Sequence, residues 1–207
     1  DLTLLEYNSC RYHISQISSA NSVDIIRERK NKVNFSCGVS INNLSLNEND
    51  IGDFKTFLKL SPPLRTETDR NALVQGLNDE TIDVIVSDHK PEDEENKRLT
   101  FAQAETGASG IETLLPLSLE LYHNGSVELE TIIKALTSKP AEILKINKGN
   151  LSTGNDADFC IVDINKPWVV RKEKLISKSK NTPIEDKKLQ GKVISTFVNG
   201  EELFKSE

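Results

Sequence analysis

Apolar and polar positions change period several times over the first ninety residues. Tyr12-His13-Ile14-Ser15 alternates, which predicts a short strand. Ser18 and Ser19 then offer N-caps for a helix that Val23, Ile25 and Ile26 fill. That helix closes on Arg27-Glu28-Arg29-Lys30, where cations oppose the partial negative charge of a helix C-terminus. Val33 to Val39 predicts the next strand. Phe54 to Leu60 predicts another, ended by Ser61-Pro62-Pro63, where the fixed φ of proline forbids helix. Thr66 or Thr68 caps a helix that runs to Asn78 with Ala72, Leu73 and Leu77 on its apolar face. Ile82 to Ser87 is rich in β-branched residues and reads as a buried strand.

The order β-α-β-β-α-β with these gaps predicts parallel α/β architecture, with about four strands, or half of an eight-stranded barrel. A polar loop follows, Asp88 to Arg98, then Gly107 and Gly110. Three helical stretches come next: 111–123, 128–136 and 139–146, the last with Pro140 in its first turn, where a missing N–H costs nothing. Beyond Gly149 the texture changes. Residues 157–164 and 192–204 predict strands, the second pattern containing the hairpin signal Asn199-Gly200. Arg171 to Lys188 has little periodicity and is expected to be a solvated linker. The expected fold class is therefore α/β: the C-terminal half of a (β/α)8 TIM-type barrel over residues 1–147, and part of a small β-sandwich domain over 148–207. A half-barrel exposes two sheet edges and its interior, and the chain contains no methionine. Both features lead to the expectation of a fragment that requires the N-terminal half of the same protein.

Composition narrows the partners. The formal net charge of -6 argues against nucleic acid. No apolar run approaches the roughly 18 residues of a membrane span, and the first residues lack the basic segment of a signal peptide. Cys10, Cys37 and Cys160 are far apart, odd in number and without a C-x-x-C pair, which argues against a disulfide framework and a structural zinc site. Each is expected to act as a small buried apolar residue in a reducing, cytoplasmic compartment.

Six strings occur in a telling order: Ser61-Pro62-Pro63-Leu64-Arg65 with Asp69-Arg70; Thr81 to His89; Gly110-Ile111-Glu112-Thr113-Leu114-Leu115-Pro116-Leu117; Lys139 to Leu144; Gly154 to Asp158; and Ser177-Lys178-Ser179-Lys180-Asn181-Thr182-Pro183. Together they resemble the class I dihydroorotases of the amidohydrolase superfamily, and the resemblance runs nearly end to end. It implies de novo pyrimidine biosynthesis and the reversible conversion of dihydroorotate and carbamoyl-aspartate by a zinc-activated water at the barrel mouth. It also implies a homo-oligomer and, in some bacteria, assembly with aspartate carbamoyltransferase.

Residue by residue, the implied site is altered. The second histidine of the family's Y-H-x-x-H-x-S, a metal ligand, is Gln16. The first histidine of P-H-H-L is Asn42. The substrate-side asparagine before P-P-L-R is Ser61, and the last histidine of D-H-x-P-H is Glu92. An amide is a poor zinc ligand, because its oxygen is uncharged and its nitrogen lone pair is delocalised. Asp88 remains at the family's general-base position, and would be this half's metal ligand if any metal is bound. Gly107 falls in the family's substrate loop. The resulting expectation is impaired or lost catalysis, no bound zinc and a structural role beside aspartate carbamoyltransferase. The alternatives are an active metal-dependent dihydroorotase with an altered site, or another cyclic amidohydrolase. His13 and His89 are expected to flank the mouth as structural residues and His123 to lie at the surface. Glu92-Asp93-Glu94-Glu95 is expected to be a solvated loop.

Overall fold

A computed structural model describes residues 1–8 and 10–206. After a single turn, α1 (Leu2–Leu5), the chain forms β1 (Tyr12–Ile17), α2 (Ala20–Arg29), β2 (Phe35–Ser40), α3 (Ile41–Ser45), α4 (Glu67–Asn78) and β3 (Val84–Val86). The three strands pair in parallel in the order β1-β2-β3. Four more helices follow: α5 (Glu94–Lys97), α6 (Leu114–His123), α7 (Leu129–Leu136) and α8 (Ser138–Leu144). The strands β4 (Phe159–Val169), β5 (Lys188–Val198) and β6 (Glu201–Lys205) then form a separate antiparallel sheet. Among the described residues no helix is long and apolar enough to cross a membrane.

Local chemistry explains the helix starts. The Ser19 hydroxyl accepts from the Ser22 N–H and the Thr66 hydroxyl from the Asp69 N–H, so each satisfies an orphan donor of a first turn. Val23 and Ile26 of α2 and Leu73, Val74 and Leu77 of α4 are buried against one another and the sheet. Gly76 permits this closeness: a Cβ there would lie 3.1 Å from both Ile82 and Val23 side chains. At the strand starts the Asp83 carboxylate accepts from the Cys37 N–H at 2.8 Å and pairs with Lys30, whose ammonium also donates to the Thr81 carbonyl. The ion pair thus ties α2 to the neighbouring ends of β2 and β3.

Three expectations need correction. The predicted strand at 54–60 is a 3-10 turn, Thr56–Leu58, so the parallel sheet has three strands among the described residues. The apolar run there serves burial of Leu58 and Leu60, not a ladder. Only Cys37 is buried; Cys10 and Cys160 are exposed. Residues 171–188 are not a solvated linker. Asn181 and Thr182 are 2% and 1% exposed, and Arg171, Lys172 and Lys187 pair with Asp186, Glu185 and Glu120. The hairpin signal holds: Asn199 and Gly200 have φ of 52° and 82°, the left-handed pair that a two-residue turn requires.

β2 approaches β1 closely at one point, where a Cβ on Gly38 would stand 2.6 Å from the Ser15 carbonyl oxygen. Gly38→Ala therefore forces the sheet apart and is expected to cost about 1–3 kcal/mol in urea unfolding.

Candidate functional site

Parallel pairing sends the C-terminal ends of β1, β2 and β3 to one end of the sheet. Gln16 leaves from β1, Asn42 from the turn after β2, and Asp88 two residues beyond β3. The structure joins two of the expected site residues directly. Gln16 Nε2 donates to Asp88 Oδ1 at 2.8 Å. The amide must face this way, because its oxygen would repel the carboxylate. Asp88 is held with φ at 49°, in the left-handed region.

Asn42 is 1% exposed, yet neither polar atom of its amide finds a partner among the described residues. The Asn43 carbonyl oxygen and Ser45 hydroxyl share that condition, although Asn43 donates to the Pro63 carbonyl. Ser61 is exposed, before a cis peptide bond to Pro62. Its segment is drawn toward the end of β1 by Arg65, whose Nε donates to the Ser18 hydroxyl at 2.8 Å.

The long loop after β3 forms the rim. His89 Nδ1 accepts from the Gly110 N–H at 3.1 Å, which leaves Nε2 to carry the proton of the neutral ring. Glu92 pairs with Lys90 at 3.5 Å. Gly107, with φ at 137°, packs so closely on the Lys90 backbone that a Cβ would meet its carbonyl at 2.6 Å. The acidic run does not stay a simple loop: Glu94 begins α5 and pairs with Arg98. His13 does not flank this mouth. It lines a cleft with Arg11 and Asp83 at the opposite end of the strands, bonded to the Ser36 hydroxyl. His123 is exposed but bonds the Ile164 carbonyl, tying α6 to β4.

Sequence reasoning passed over Lys97. It is 2% exposed and its ammonium donates to the carbonyls of Thr56 and Glu105, which staples the rim loop to the 3-10 turn. Burial pushes its pKa down to about 8. The only sequence signal was its place in a charged run, which gave no hint of burial.

The chemistry of this donor set can be tested against zinc. Zinc requires lone pairs from imidazole, thiolate or carboxylate. At Gln16 an N–H hydrogen points at Asp88 instead, so a cation there would face a donor. Among the described residues no three His, Cys, Asp or Glu side chains group as a metal site would require. The described residues of this chain do not by themselves make a zinc site.

A parallel βα sheet with its polar residues at the strand C-termini, followed by an antiparallel sheet, is the architecture of an amidohydrolase-type barrel protein. Residues 3–203 match the amidohydrolase family. The dihydroorotase of Ehrlichia canis (strain Jake) is 42% identical over 202 residues, covering 97% of this chain and 45% of that one. The L-hydantoinase (dihydropyrimidinase) from Arthrobacter aurescens superposes with a TM-score of 0.93 at 26% identity, over 99% of this chain and 47% of that one. The inactive dihydroorotase-like domain of a Chaetomium thermophilum CAD-like multifunctional protein gives a TM-score of 0.73 at 21% identity, over 97% and 53% of the two chains, a likeness of fold alone. The chain belongs to the amidohydrolase family, and within it is a homologue of dihydroorotases. It spans about half the length of the curated relatives it matches.

Two outcomes follow. With no partner among the described residues, the buried amide of Asn42 costs desolvation without return, so Asn42→Leu is expected to stabilise this chain by about 1–3 kcal/mol in chemical denaturation. A loss of stability would reveal a hydrogen-bond partner. For Lys97, the native state sheds its proton near pH 8 and the unfolded chain near pH 10.5. Between these values the unfolded state binds more protons, so stability rises with pH. Relative to Lys97→Met, the native protein should gain about 2 kcal/mol between pH 7 and pH 9.5, read by urea unfolding.

Proposed function

We propose that this chain is the C-terminal half of a dihydroorotase-family protein of pyrimidine biosynthesis in which zinc-dependent catalysis has been lost. Its role is structural, beside aspartate carbamoyltransferase. The single observation that carries the reading is the hydrogen bond from Gln16 Nε2 to Asp88 Oδ1. In a working site of this kind an imidazole lone pair and the carboxylate would face the same cation. Here a donor has replaced an acceptor, and the carboxylate is hydrogen-bonded by an amide rather than shared with a metal. Asn42 adds a second amide where a ligand is expected. Glu92 adds negative charge on the side that would receive a carboxylated substrate.

The same reading assigns residues 1–147 to the barrel and 148–207 to the small β domain, and makes both depend on the remaining half of the protein. An apolar cleft of about 800 Å³ between α6 and the antiparallel sheet, lined by Leu115, Pro116, Trp168, Val193 and Phe204, supports this. So does the shared length ratio of the relatives, of which this chain spans about half.

The test uses the full-length protein. It is expected to hold well under one zinc per chain by metal analysis and to turn over no dihydroorotate. It is expected to co-elute with aspartate carbamoyltransferase in size-exclusion chromatography. The double substitution Gln16→His with Asn42→His should raise zinc content. Stoichiometric zinc in the unaltered protein, with turnover of about 1 per second or more, would sink the reading.

A further inference from the structure

The segment with least sequence periodicity makes the densest polar contacts with the rim. Asn181 lies in the loop between β4 and β5 and is 2% exposed. Its side-chain oxygen accepts from the Glu92 N–H at 3.3 Å and from the Ser109 hydroxyl at 2.9 Å. Its Nδ2 donates to the Gly107 carbonyl at 3.1 Å, and its own carbonyl accepts from the Ser109 N–H. One buried amide therefore satisfies both arms of the rim, the arm that follows Asp88 and the arm that returns through Gly107. The loop is itself fixed from behind. The Glu112 carboxylate accepts from the N–H groups of Ile176 and Ser177, both at 3.0 Å, and Ser179 donates to the Glu92 carbonyl.

We infer that Asn181 is a positioning residue that sets the geometry of the barrel mouth from the C-terminal sheet, by holding Glu92 and Gly107 at a fixed separation. The two hydrogen-bonding halves of its amide do different work. The oxygen holds the Glu92 arm, where it competes with solvent for a backbone N–H. The nitrogen holds the Gly107 arm, where the acceptor is a carbonyl. No other uncharged side chain of this size presents a donor and an acceptor at that spacing. Serine and threonine have a single polar atom, and glutamine carries its amide one carbon further out. The inference rests on Glu92 and Gly107 being mouth positions, as proposed above, but not on whether the mouth holds zinc.

This division of labour is directly testable by residue-resolved hydrogen exchange on the full-length protein, with thermal unfolding as a check on the fold. Asn181→Ala removes both contacts, so the Glu92 amide and the amides of 107–110 should exchange about ten-fold faster or more, the loss of one net hydrogen bond each. β2 and β5 should exchange as before. Asn181→Asp keeps the acceptor and turns the donor into an oxygen facing the Gly107 carbonyl. It should therefore loosen 107–110 while Glu92 stays protected. Three results would overturn the inference: unchanged exchange at both arms in the alanine variant, an increase spread evenly through both sheets, or an aspartate variant indistinguishable from alanine. These rates report the latch whether or not the protein turns over dihydroorotate, so failure here is distinct from failure of the functional reading.

Discussion

Parallel pairing of β1, β2 and β3 is the constraint on which the rest of the molecule depends. It delivers Gln16, Asn42 and Asp88 to one end of a sheet although they lie up to seventy-two positions apart in sequence. The pairing is enforced from the other end, where Asp83 gathers Lys30 and the Cys37 N–H, and in the middle, where Gly38 lets two backbones close. A polar network at the strand starts, and only a glycine between, leave the strand ends free to carry chemistry.

At those ends the proposed exchange of imidazole for amide would be more than the loss of a ligand. An imidazole offers a lone pair to a cation and has no hydrogen in that direction. Glutamine offers a hydrogen to an anion. The same carboxylate that would share a metal with its neighbour therefore becomes that neighbour's hydrogen-bond acceptor. Gln16 and Asp88 are joined by a direct hydrogen bond at the strand ends. Asn42 illustrates the opposite outcome: a buried amide whose partners do not lie among the described residues.

Much of this was legible in the sequence. Alternation and caps located α2, α4, β2 and the β5–β6 hairpin because each rests on local chemistry: Ser19 and Thr66 at helix starts, Asn199-Gly200 at the turn. The apolar stretch at 54–60 misled because burial alone does not distinguish a strand from a 3-10 turn packed under a loop. Gln16 and Asp88 were singled out in the sequence, but their hydrogen bond was not legible there, since it joins side chains across the sheet. The burial of Asn181 and of Lys97 was invisible for a common reason. Their burial is created by segments far away in sequence, and neither lies on a periodic face that would announce it.

Cys37 offers a last consequence. It is fully buried, its thiol donates to the Thr81 carbonyl, and burial pushes its pKa up to about 11. A thiol so placed reacts only when β2 separates from the segment leading into β3. With Cys10 and Cys160 exposed, the chain carries its own stopwatch: two thiols that mark time from the moment a reagent is added, and a third that waits for the sheet to breathe.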